Sequence, residues 1–329
     1  MQSLLDPAIL FFIFGVFAGL VKSNLEIPPQ LSRFLSLYLL MALGLKGGFA
    51  LAHSGMTTHI AVSLACAVAL AIIIPAIGYQ LLKHVISGYD AAAIAATYGS
   101  VSAVSFITAV QYLETHHIVY GAHMAAAMAL MESPAIIMAV IFANALRKKS
   151  AAANGITTAQ DTAHAVTPWK ILHESLTDGA QLLLIGAMVV GILSGDAGKL
   201  AMQPFSGDLF KGMLAFFLLD MGLMAAQKLP EIRGQSSWVL VYAVLAPLLH
   251  AALALGLAML AGLSAGDASL LMILAASASY IAVPAALRYT IPEANPSLYF
   301  GMSLGVTFPL NILFGIPLYV SMAHTFISA

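Results

Sequence analysis

Residues 90–102 read DAAAIAATYGSVS and residues 267–279 read DASLLMILAASAS. In both stretches an aspartate opens an apolar run, and serines follow ten and twelve residues later. A helix rises ~1.5 Å per residue, so one starting at either aspartate reaches its first serine after ~15 Å, half of a ~30 Å hydrocarbon core. Both serine pairs are therefore expected near a membrane midplane, one in each half of the chain.

Composition sets the class around these stretches. Hydrophobic residues make up 61% of the 329-residue chain and charged residues 8%, a balance that belongs to integral membrane proteins. The runs are of helix length and apolar on all sides, whereas a membrane barrel shows short alternating segments. The expected fold is all-α. A net charge of −1 gives no basis for nucleic-acid binding, and a single cysteine, Cys66, allows neither a disulfide framework nor a cysteine metal site. No HExxH, nucleotide loop or nucleophile elbow is present, so an enzyme is not expected.

About ten spans can be marked: 7–22, 31–51, 58–83, 89–112, 118–146, 176–193, 209–228, 236–263, 266–289 and 296–324. No Lys or Arg precedes Lys22 and no small-residue cleavage site follows the first run, which is expected to be retained. RKKSAAANGITTAQDTAHAVTPWK, residues 147–170, has the composition of a linker. The expected organisation is a five-span repeat over 1–146, a cytoplasmic linker over 147–174 and a second five-span repeat over 175–329. Placing the linker inside puts Lys22, Arg33, Lys83, Lys228, Arg233 and Arg288 inside and only Lys46, Lys199 and Lys211 outside. Both termini are then extracytoplasmic. Five spans per half require the repeats to be inverted, as in many secondary transporters.

Small residues at Gly99-Ser100-Val101-Ser102 and Ser277-Ala278-Ser279 allow the fourth and ninth helices to break. Half-helix N-termini can then meet an anion, and unwound carbonyls and hydroxyls a cation. Close helix packing is the competing reading of the same residues. Glu132 lies within the fifth span, where a carboxylate must face a cavity, find a partner or take up a proton. Asp220, His250 and Asn311 are further intramembrane candidates, Asp90 and Asp267 are placed as helix N-caps, and Pro134 and Pro309 are expected to bend their spans.

The sequence Ile291-Pro292-Glu293-Ala294-Asn295-Pro296-Ser297 with Tyr299 and Gly301, then Ile316-Pro317-Leu318, resembles the sodium-dependent bicarbonate symporters. So do Ala246-Pro247 with His250, Glu174-Ser175-Leu176, and the Gly99 to Ser102 stretch. The resemblance runs through nearly the whole chain. It implies a homotrimer in a bacterial cytoplasmic membrane, with a core domain moving against a gate domain and bicarbonate carried with sodium between two helix breaks. It places the anion at Gly99, Ser100, Val101, Ser102, Ser277, Ala278 and Ser279, and the sodium ion at Glu132 with Ser105. Sodium is the expected coupling ion and no other cofactor is implied. A cytoplasmic nitrogen-regulatory-type partner is also implied. Tyr280 departs from the family pattern, in which an acid follows the serines. A permease for another small anion, with proton coupling among its forms, and a non-transporting anion sensor remain the alternatives.

Overall fold

The computed structural model describes residues 6–54, 57–153, 179–232 and 236–327. The described residues form helices and no strands. Twelve helical segments matter here: α1 (Pro7–Leu20), α2 (Pro29–Ser54), α3 (Thr58–Leu82), α4 (Gly88–Gly99), α5 (Ala103–Thr115), α6 (Met124–Ala153), α7 (Gly179–Gln203), α8 (Phe210–Lys228), α9 (Ser237–Leu260), α10 (Ala265–Ala276), α11 (Ala282–Thr290) and α12 (Pro296–Ile327). Seven segments are long and apolar enough to cross a membrane, and α1 and α10 are shorter apolar helices. One of the seven, Leu182–Lys228, covers 47 residues, ~70 Å of helix against a ~30 Å core. It is broken between α7 and α8 by a π-helical turn over Pro204–Asp208, and Gly195 in α7 takes a positive φ of 53°. The chain is a multi-pass membrane protein, and its outer faces carry Phe11, Phe14, Phe17, Leu193, Trp238, Leu249 and Leu260 exposed, as a lipid-facing surface requires.

Two packing groups organise these helices. In the first, α1 lies against α8 and α2 against α7, with α2 also touching α8. Glycines set both close approaches: a Cβ on Gly48 would stand 2.8 Å from the Gly191 Cα, and one on Gly15 3.1 Å from the Gly222 Cα. Small residues let backbones meet where the bilayer supplies no hydrophobic drive between helices. In the second group α3, α4 and α6 pack on one another, as do α10 with α9 and α12, and α3 and α6 also contact α10.

Several expectations are revised by the helix ends. The expected linker starts at Arg147, but α6 continues to Ala153; residues 154–170 and Glu174-Ser175-Leu176 lie outside the described residues. The sixth span runs ten residues further than expected, to Gln203, and the fifth begins only at Met124. Lys46 lies within α2, inside the expected span 31–51, and pairs with Glu114 at 3.0 Å. Asp90 and Asp267 are not N-caps. Ser87 and Ser264 are, their hydroxyls accepting from the Asp90 and Asp267 N–H groups at 3.1 Å each. As third helical residues the aspartates reach outward: Asp90 accepts from the Asn295 N–H at 2.7 Å and Asp267 from the Gly121 N–H at 2.5 Å. Each thereby ties the start of α4 or α10 to the connection that leads into α12 or α6.

The motif around Glu293 is explained at the same place. Arg147 grips Glu293 through both carboxylate oxygens at 2.9 and 2.8 Å and donates to the Thr290 carbonyl at 2.9 Å. The Asn295 side chain accepts from the Ser297 N–H at 3.1 Å, capping a helix whose first residue is Pro296. These residues fasten α6, α11 and α12 at one end of the molecule.

Candidate functional site

The two serine stretches meet inside the second group. α4 stops at Gly99 because Ser100 turns to extended backbone, φ −93° and ψ −174°, and α5 starts after Ser102, also extended. α10 stops at Ala276, where Ser277 is extended, and α11 starts at Ala282. Gly99 is required by packing, since a Cβ there would come within 2.6 Å of the Pro75 ring. Val101 and Ala278 are buried.

Hydrogen bonds lace one stretch to the other. The Ser102 N–H donates to the Ser277 hydroxyl at 2.9 Å, and the Ser279 N–H donates to the Thr97 carbonyl at 2.8 Å. Ser277 passes its own proton to the Leu274 carbonyl at 2.8 Å. The Ser102 hydroxyl caps α5 by accepting from the Ser105 N–H at 3.1 Å and takes the Ser105 hydroxyl proton, also at 3.1 Å. The Ser279 hydroxyl accepts from the Val283 N–H at 3.3 Å. Ser100 differs: its hydroxyl is buried and has no hydrogen-bond partner among the described residues.

The two serine pairs look alike in sequence, and the geometry separates them. Ser277 and Ser279 already satisfy backbone groups. Ser100 keeps its full hydrogen-bonding capacity, and Ser102 and Ser105 place two hydroxyl oxygens side by side.

Polar groups of α12 support this centre. Asn311 donates to the last α10 carbonyl, Ala276, at 2.8 Å and accepts from the Tyr319 hydroxyl at 3.1 Å. Tyr98 donates to Thr307 at 2.6 Å, the direction being set because Thr307 gives its own proton to the Ala243 carbonyl at 2.7 Å. The α12 turns that carry these residues are π-helical on both sides of Pro309, which removes a backbone donor where the helix widens. Asn311 is therefore a brace for the α10 end. His250 is buried on α9, and its Nδ1 has no hydrogen-bond partner among the described residues.

A cavity of about 1320 Å³ opens between the two packing groups and reaches Tyr280, Ile281 and Ala282 at the second break. Glu132 and Asp220 line it from opposite sides, α6 and α8, with Ser32 and Arg33 from α2. Ser32 donates its hydroxyl proton to Asp220. A smaller cavity of about 380 Å³ lies near Asp6, Gln111, Thr115 and Leu214. Glu132 thus faces a cavity, as its cost in lipid demands. Asp220 was legible from its place in the apolar run Phe-Phe-Leu-Leu-Asp-Met, but nothing in the sequence put it across a cavity from Glu132. Tyr280, which stands where an acid was expected, lies against Ser102. His116 and His117 are exposed in the α5–α6 connection.

Residues 7–324 match the family model described as the Na+-dependent bicarbonate transporter superfamily. That is a family of transporters and not an enzyme class. No curated protein matches the chain.

Proposed function

We propose, for a chain that belongs to the Na+-dependent bicarbonate transporter superfamily, that bicarbonate is carried by sodium symport between the α4–α5 and α10–α11 breaks. The observation that carries this reading is the unpartnered Ser100 hydroxyl beside two breaks laced by reciprocal hydrogen bonds. A buried hydroxyl without a partner costs ~1–3 kcal/mol, and an anion relieves that cost by accepting its proton. The N–H groups of Ala103 and Val104 at the start of α5 and of Ala282 at the start of α11 have no carbonyl one turn earlier and complete the anion site with Gly99, Val101 and Ala278 backbone. The hydroxyls of Ser102 and Ser105 and the carboxylate of Glu132 supply oxygen ligands for sodium, and Asp220 adds a second negative charge to its path.

The pairings of α1 with α8 and of α2 with α7 are the exchange expected of two inverted five-helix repeats, first span on seventh and second on sixth. The reciprocal ties from Asp90 and Asp267 support the same reading. On this reading α1, α2, α7 and α8 form the gate and the remaining helices the core. The larger cavity opens beside Arg33, which the positive-inside rule assigns to the cytoplasm, so the conformation is inward-facing in a cytoplasmic membrane with both termini outside. A homotrimer, and a nitrogen-regulatory-type partner at the cytoplasmic face, complete the assembly that the resemblance implies.

Uptake into proteoliposomes tests the function. Radiolabelled bicarbonate should accumulate with an inward sodium gradient and not with potassium in its place. Accumulation driven equally by a proton gradient without sodium would identify a proton-coupled permease, and saturable binding without accumulation a sensor. Counterflow with other small anions tests the substrate.

A further inference from the structure

At the end of the molecule opposite the Arg147–Glu293 pair, three elements bring metal-ligand side chains together. His59 is the second residue of α3, His123 immediately precedes α6, and Asp267 is the third residue of α10. One ligand atom from each lies within 4.8 Å of the others. His59 is exposed, whereas His123 and Asp267 are only 4% and 3% exposed. The Nε2 atom of His123 is buried with no hydrogen-bond partner among the described residues. The two imidazole rings stand edge to face with centroids 6.3 Å apart.

The fold contains its own control for this cluster. Asp90 occupies the same third helical position in α4 and makes the same kind of contact, to the Asn295 N–H. There, however, the residue two beyond the tethered amide is Ser297 where the first end has His123, and the second residue of α9 is Trp238 where α3 has His59. The aspartate tether therefore forms without histidines. Two imidazoles converging on one copy of it, one of them with an unsatisfied buried nitrogen, need another reason.

We propose that His59, His123 and Asp267 form a binding site for a divalent transition-metal ion of the zinc type on the extracytoplasmic face. Two nitrogens and one carboxylate oxygen are a common zinc donor set, and the fourth tetrahedral position is left to water. Bonds of ~2.0–2.1 Å put ligand atoms ~3.3 Å apart, so the present separations close by at most ~1.5 Å, within reach of the exposed His59 side chain. The Asp267 oxygen that accepts from Gly121 is already oriented, as ligating carboxylates are by their outer partners. Because α3, α6 and α10 pack in one group, the metal fastens the α5–α6 connection to that group. It leaves the cavity between the groups untouched.

The test uses full-length protein freed of any histidine tag. Co2+ titration should give the visible absorption of a tetrahedral site at one ion per chain, displaced by Zn2+. His59→Ala should bind Co2+ at least ~10-fold more weakly, and Zn2+ should raise the thermal midpoint of the parent protein but not of this variant. His59→Ala changes an exposed residue, and a thermal midpoint without metal equal to that of the parent confirms its fold. No tetrahedral Co2+ spectrum in the parent, or the same affinity and thermal shift in His59→Ala, would overturn the proposal. Asp267→Asn, which keeps an acceptor for Gly121 but loses the charge, should weaken Co2+ binding while retaining fold and uptake; unchanged binding would count against the site.

Discussion

Replacing Ser100 by Ala removes a hydroxyl that bonds to nothing among the described residues. Leaving a buried polar group unsatisfied costs ~1–3 kcal/mol, so its deletion should leave the unliganded protein as stable as before or more so by up to that amount. If the hydroxyl donates to the bound anion, the same change should weaken binding by ~1.5–3 kcal/mol, a ~10- to 150-fold rise in Kd. Ser277→Ala is the counter-experiment. It takes away the acceptor of the Ser102 N–H and should destabilise the protein by ~1–3 kcal/mol before any ligand is considered. Thermal unfolding in detergent without ligand, read beside the equilibrium binding of radiolabelled bicarbonate, separates the two effects. The expected pattern is lower affinity at equal or higher stability for Ser100→Ala, and lower stability for Ser277→Ala. Unchanged affinity in Ser100→Ala would refute a ligand role for Ser100, and a marked loss of its stability would show that the hydroxyl is satisfied by protein.

Glu132→Gln should raise the sodium concentration for half-maximal uptake and change anion binding little at saturating sodium; wild-type dependence on both sodium and pH would remove Glu132 from coupling. Gly48→Leu forces α2 and α7 apart at a contact that a single Cβ already closes to 2.8 Å and should cost ~1–3 kcal/mol. Gly186→Ala on the same α7, where an added Cβ meets nothing within 4 Å, should leave the thermal midpoint in place. In a Cys66→Ala background, a cysteine at Ser150 should be labelled only from the cytoplasmic side and one at Ser328 only from outside. Labelling of position 150 from outside would reverse the topology.

The all-helical membrane class was legible from the residues because lipid imposes it locally. A bilayer requires about twenty apolar residues per crossing, and Gly, Ser and Pro punctuate helices through their own backbone chemistry. The helix ends at Gly99 and Ala276 follow from such punctuation, and Glu132 stood out because a carboxylate is costly in an apolar run. What those residues bond to was not legible. Ser100 and Ser277 sit in near-identical contexts, yet one is unpartnered and the other serves two backbone groups, because that depends on how α4 and α10 slide past each other. Asp90 and Asp267 looked like caps in one dimension. The serine three residues earlier took that role and freed each carboxylate to reach a distant connection. His59, His123 and Asp267 are separated by more than sixty residues at each step and carry no spacing signal. Local composition sets where a membrane chain must be helical and where it can break. Which polar atoms end up satisfied is decided only when helices far apart in sequence come within hydrogen-bonding distance.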